Sequence, residues 1–114
     1  MKRVIGIVVG IGFYMMSTPA SAQDKVEQGS ALFTSQKCVL CHAVAGKGNK
    51  KGALDDVGAR LKADEIRAWL TTPDAMREKT HATRTPVMKD PKLAKDQLDA
   101  LVAFLSAQKN AAAR

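Results

Sequence analysis

Two cysteines and a histidine stand together at Cys38-Val39-Leu40-Cys41-His42, the arrangement read as a c-type haem attachment site. Two thiols at this spacing share one helical turn, so each can add across a haem vinyl group to give a thioether. The adjacent imidazole then falls beneath the iron as its proximal ligand. Two other chemistries use a C-x-x-C pair. A thiol–disulfide redox site expects a strand before it and a thioredoxin-like α/β pattern after it, and this sequence has neither. A zinc site needs four ligands, and the residues downstream offer only His81 besides carboxylates.

The chain that must position these groups is short. Its 114 residues form one small domain and exclude a multi-domain enzyme. Charged residues at 25% and apolar residues at 46% exclude collagenous, low-complexity and wholly disordered classes. Lys2 and Arg3, the uncharged run from Val4 to Met16, and the small-x-small triplet Ala20-Ser21-Ala22 read as an export signal spanning residues 1–22. The run falls short of the roughly 20 residues that a membrane span needs, and retention as an uncleaved anchor is the alternative. Cleavage after Ala22 leaves residues 23–114 as the mature domain, 92 residues with a formal charge of +5. Its aromatics are Phe33, Trp69 and Phe104 and its methionines are Met76 and Met88. So thin a core has little margin at this size, and one close cysteine pair cannot supply the several disulfides on which small exported domains often rely. Something other than protein must fill the middle.

Apolar spacing predicts a first helix over Asp24–Gln36, with Val26, Ala31, Leu32 and Phe33 on its apolar surface. The clearest periodicity is Leu98, Leu101, Val102 and Leu105, widened by Phe104, in a C-terminal helix. That helix begins near Asp90-Pro91, an N-cap and first-turn proline, or after Ala94. Between them, Gly46, Gly48, Gly52 and Gly58 mark residues 45–60 as a loop with no strand pattern. A helix over Ala63–Thr71 presents Ile66, Trp69 and Leu70 inward and stops at Pro73, followed by a short turn over Asp74–Glu78 and an extended loop over Lys79–Val87. The tail from Asn110 to Arg114 should fray.

With these elements in place, the chain from about Lys25 to Lys109 resembles the class I monohaem cytochromes c. The resemblance implies an all-α fold of about four to five short helices wrapped around one thioether-linked haem c with its iron. Cys38 and Cys41 would attach the haem and His42 would ligate the iron. The first and last helices would cross at Gly29 and Phe33 against Phe104. Gly52-Ala53-Leu54 occupies the place of the family's Gly-Pro-x-Leu, which makes the Ala53 carbonyl the expected acceptor for the His42 ring. Val57-Gly58-Ala59-Arg60 resembles the segment whose arginine pairs with a haem propionate, a solvated surface arginine being the alternative for Arg60. Trp69 is expected to pack on the porphyrin edge or in the core. For the sixth ligand the candidates are Met76, Met88 and His81. Arg84-Thr85-Pro86-Val87-Met88 resembles the family's proline-containing methionine loop and makes Met88 the choice; Met76 reads as core and His81 as a solvated loop residue.

Closing the iron with His42 and Met88 leaves no position for oxygen or peroxide. The implied function is one-electron transfer by a periplasmic carrier, not an enzyme, with the haem subunit of a larger oxidoreductase complex as the alternative. An open sixth site for gas or peroxide is a third reading. Lys47, Lys50, Lys51 and Lys89, Lys92, Lys95 fall on the two loops that would flank the haem in the family's geometry, which implies redox protein partners with acidic docking faces, ordinary solubilising charge being the alternative. A monomer is expected, without stable membrane insertion once the signal is cleaved. With three mature aromatics and no binding motif, nothing supports a nucleic-acid partner.

Overall fold

Val26, Gly29 and Phe33 recur at the spacing of one helical stripe, and they form the inward face of α1 (Ala20–Ser35). The facing stripe, Leu101, Val102, Phe104 and Leu105 with Ala100, lies on α5 (Lys95–Ser106). A computed structural model describes residues 20–110 together with 6 and 10–12. The expected export signal lies mostly outside the described residues, as does the tail beyond Asn110. The helix α1 begins four residues before the expected start, because Ala20, Ser21, Ala22 and Gln23 carry no helix breaker. Ala31 faces solvent, not the core.

These two helices meet at close quarters. A Cβ on Gly29 would collide with the carbonyl oxygen of Ala100 and with the Cβ of Phe104, so only glycine permits this approach. The Phe33 and Phe104 rings stack tilted at 53° with centroids 5.7 Å apart, a geometry that adds about 0.5–1.5 kcal/mol beyond the area buried. Ile66 and Leu70 of α3 (Ala63–Thr71), Val57 and Val44 complete the buried cluster. An ion pair from Arg67 to Asp99 at 2.8 Å ties α3 to α5 at the surface.

Two local features differ from the sequence expectation, and a third decides between two starts that the sequence left open. Residues 73–80 form a helix, α4 (Pro73–Thr80), where a shorter turn was expected. Proline suits the first helical position because its missing N–H has no intrahelical partner there. The helix closes with His81 in the left-handed conformation and with bonds from the His81 and Ala82 amides to the carbonyls of Glu78 and Arg77. The glycine-rich loop contains a minimal hairpin, β1 (Ala43–Val44) antiparallel to β2 (Lys47–Gly48), closed by Ala45 and Gly46 at φ 52° and 77°. Two positive φ angles in a two-residue connection match the twist of antiparallel strands. Finally, α5 starts after Ala94, whose amide is bonded by Gln97 Oε1 at 3.1 Å. Asp90 does not cap this helix; its Oδ1 accepts from the Lys92 amide at 2.8 Å and closes a separate turn.

The short helix α2 (Val57–Arg60) docks on the end of α5: the Gly58 amide donates to Gln108 at 2.7 Å, and the Asn110 amide donates to Asp55 at 2.8 Å. No helix among the described residues is long and apolar enough to cross a membrane.

Candidate functional site

Cys38–Leu40 forms one turn of 3₁₀ helix, entered through Lys37 in the left-handed conformation and closed by Cys41. Residues three apart eclipse one another in this geometry, which carries the two cysteines to one side of the turn. Both thiols are half-buried and neither is in a disulfide. Burial pushes the free Cys38 thiol up. Asn49 holds the turn from outside: its amide donates to the carbonyls of Val39 and His42, both at 3.0 Å, and its Nδ2 donates to Leu40 at 3.2 Å.

The His42 ring is fixed by a contact ten residues away. Its Nδ1 lies 3.0 Å from the carbonyl oxygen of Gly52. A carbonyl can only accept, so Nδ1 carries the proton and the lone pair of the neutral imidazole sits on Nε2. Burial, the largest influence, favours that neutral form, and the Arg84 charge nearby acts in the same direction against the Gly52 bond. The acceptor is thus Gly52 and not Ala53, one residue earlier than the loop comparison predicts. Gly52 closes a short 3₁₀ turn over Lys50–Gly52, with its own amide bonded to Asn49 at 3.1 Å, a bond that a proline at this position would lose.

This donor set fits a covalently held haem better than a bare ion. Among the described residues no three His, Cys, Asp or Glu side chains converge on a metal-sized site. Two thiols are available for thioethers, and one imidazole has its outer nitrogen tied to the backbone and its inner one free to ligate. Half-buried apolar side chains pack against the core: Val39, Leu54, Leu61, Leu93 and Leu98, with Met88 and Cys38 among them. A family model described as Cytochrome c matches residues 26–109.

The chain belongs to the cytochrome c family. It carries a covalently bound c-type haem with its iron and is a haem-binding electron-transfer protein; members of the family are typically carriers and not enzymes. No curated protein and no solved structure matches the chain at a significant level.

The remaining predicted residues of this cytochrome are distributed as follows. Met88 is half-buried in the loop before α5 and packs against the core, whereas Met76, on α4, is only 7% exposed and is a core residue. His81 is exposed at the end of α4. Trp69 is half-buried on α3, whose buried residues are Ile66 and Leu70. Arg60 directs its Nε to Asp56 Oδ1 at 3.0 Å across one turn of α2, so its guanidinium has a protein partner. Two further contributors escape the sequence pattern. Asn49 has only its place in a glycine-rich loop to mark it. Arg84 reaches back 43 residues, its Nη2 donating to the Cys41 carbonyl at 2.6 Å, and no local spacing could pair them.

Proposed function

We propose that this cytochrome is a periplasmic one-electron carrier whose haem is attached through Cys38 and Cys41 and ligated by His42 and Met88. The observation that carries the reading is the bond between His42 Nδ1 and the Gly52 carbonyl, because it orients the imidazole and raises its basicity as an axial ligand. The bound haem supplies a one-electron couple between ferrous and ferric iron, and a thioether in place of a second imidazole raises its potential. The chain's part is to keep both ligands in place through the change of charge and to exclude water. The buried cluster of Phe33, Ile66, Leu70, Leu101 and Phe104 provides the rigid wall for this. In this reading Trp69 packs on the porphyrin edge and Arg60 turns part of its guanidinium to a propionate.

Export through residues 1–22 agrees with thioether attachment, which in this family belongs outside the cytoplasm. Lys47, Lys50, Lys51, Lys89, Lys92 and Lys95 are all exposed, on segments adjoining Gly52 and Met88. That placement supports steering toward acidic faces of redox partners by a monomeric carrier.

The test is the absorption spectrum of the periplasmically expressed holoprotein and its Met88→Ala variant, ferric and ferrous, with and without carbon monoxide. The wild type should be low-spin, show the weak long-wavelength sulfur-to-iron band and ignore carbon monoxide. The variant should lose the band and bind the gas. A high-spin wild type that takes up carbon monoxide would overturn His/Met ligation.

A further inference from the structure

The loop that carries Met88 has few ties of its own. From residue 83 to residue 93 no backbone group is bonded to another backbone group among the described residues. The Asp90 turn joins the loop only to itself. On one side Met88 lines an open cleft of about 640 Å³ with Thr71, Pro73, Asp74, Val87 and Asp90.

The polar tie to the body of the protein is Arg84. Its Nη2 donates to the carbonyl of Cys41 at 2.6 Å, a charge-assisted bond to the peptide group that joins Cys41 to His42. Its Nη1 rests over Gly52, where a Cβ would collide with it. The residue whose carbonyl orients His42 therefore also leaves, by having no side chain, the space that the guanidinium fills. A single cation touches both groups that set the proximal ligand, and it is four residues from Met88.

We propose that Arg84 is a positioning residue for the sixth ligand, clasping the Cys41 carbonyl and Gly52 and so holding the loop of Met88 to the turn of His42. The proposal rests on the reading of Met88 as a ligand. A planar fork can hold a carbonyl and cover a neighbouring backbone at once, whereas a lysine offers a point charge on a flexible stem. The loop then has a clasped and an open state. An external ligand reaches the iron only from the open state, so its apparent affinity rises in proportion to the open fraction.

The experiment is a titration of the ferric holoprotein with imidazole, following the sulfur-to-iron band, in the wild type, Arg84→Gln, Arg84→Lys and Arg67→Gln. The last removes the ion pair between α3 and α5 and serves as a control for general loosening. Arg84→Gln should retain the band without imidazole and lose it at an imidazole concentration about tenfold lower than the wild type, a shift equivalent to about 1.4 kcal/mol. Arg84→Lys should fall between them, and Arg67→Gln should stay within about twofold of the wild type. The proposal is overturned if Arg84→Gln also stays within about twofold, or if Arg67→Gln shifts as far. Should Arg84→Gln fail to retain haem, Arg84→Lys decides: a shift beyond about threefold supports the clasp and one within about twofold overturns it. A wild type without the band, unchanged by Met88→Ala, removes the ligand reading itself, whereas an intact band with unshifted Arg84 variants removes only the clasp.

Discussion

Gly29 of α1 lies against the carbonyl oxygen of Ala100 in α5, with no space between them for a side-chain carbon. The neighbours are backbone and the Cβ of Phe104, none of which can swing aside as a flexible side chain would. Gly29→Ala should therefore push the helices apart and loosen the tilted Phe33–Phe104 pair. Overpacking of this kind costs about 1–3 kcal/mol, which outweighs the gain of up to about 1 kcal/mol in helix propensity. Urea unfolding of the holoprotein should show a lower midpoint; an unchanged or higher midpoint would mean that the helices do not approach this closely.

Asn49→Ala removes the side-chain bonds to the Leu40 carbonyl and from the Lys51 amide, at 3.2 and 3.1 Å, while its backbone bonds to Val39 and His42 remain possible. Both lost bonds are exposed, so the expected loss is about 1 kcal/mol in total. A thermal melt of the ferric holoprotein should fall by a few degrees, about 4–8 °C per kcal/mol for a domain of this size, with the Soret spectrum unchanged. A loss of haem on purification would assign Asn49 a larger part than bracing the turn.

Asp99 accepts from Arg67 at 2.8 Å and from Lys95 at 3.3 Å. These two bonds, Arg67 first, hold its carboxyl below the usual carboxylate range. A carboxylate whose folded value is depressed adds stability above its unfolded value, about 3.9, and loses that stability as pH falls through the folded value. The difference in melting temperature between the wild type and Asp99→Asn should be constant near neutrality and shrink only below about pH 4. It should also narrow in high salt, since the pair is at the surface. A difference that already changes between pH 6 and 8 would implicate another group.

The long helices were legible because their evidence is periodic. Leu98, Leu101, Val102 and Leu105 mark α5 without help from any distant residue, and α3 matches Ala63–Thr71 at both ends. The haem-binding turn was legible because three chemically distinctive residues are adjacent. What could not be read lies in segments too short for periodicity or in pairs too far apart for spacing. Two-residue strands such as Ala43–Val44 and Lys47–Gly48 cannot display alternation, so the hairpin reads as loop. The helix that begins at Pro73 reads as a turn in the sequence because proline ends the helix before it and also suits the start of the next. The acceptor for His42 shifted from Ala53 to Gly52 because a carbonyl has no side-chain signature, and only the path of the loop decides which one faces the ring.

Neutralising Lys47, Lys50 and Lys51 together to glutamine should slow reduction or oxidation by an acidic redox partner several-fold at low ionic strength. All three are exposed, so the effect should fade as salt shortens the screening length to about 8–10 Å. Stopped-flow rates over a salt series would read both quantities. Rates that are independent of salt in the wild type would remove electrostatic steering, whatever the variant does.

Met76 and Met88 should respond oppositely to the same substitution. Met76 is buried on α4, so Met76→Leu is close to volume-conserving and should cost less than about 1.5 kcal/mol. Its sulfur has no role in the reading proposed for this cytochrome, and the sulfur-to-iron band should persist. Met88→Leu keeps a similar apolar shape against the core but removes the thioether, so the fold should survive while the band disappears and the ferric iron accepts an external ligand such as imidazole. Because packing volume is nearly held at both sites, a spectral difference between the variants reports ligation and not stability. A band lost in Met76→Leu and retained in Met88→Leu would reassign the sixth ligand to Met76 on α4.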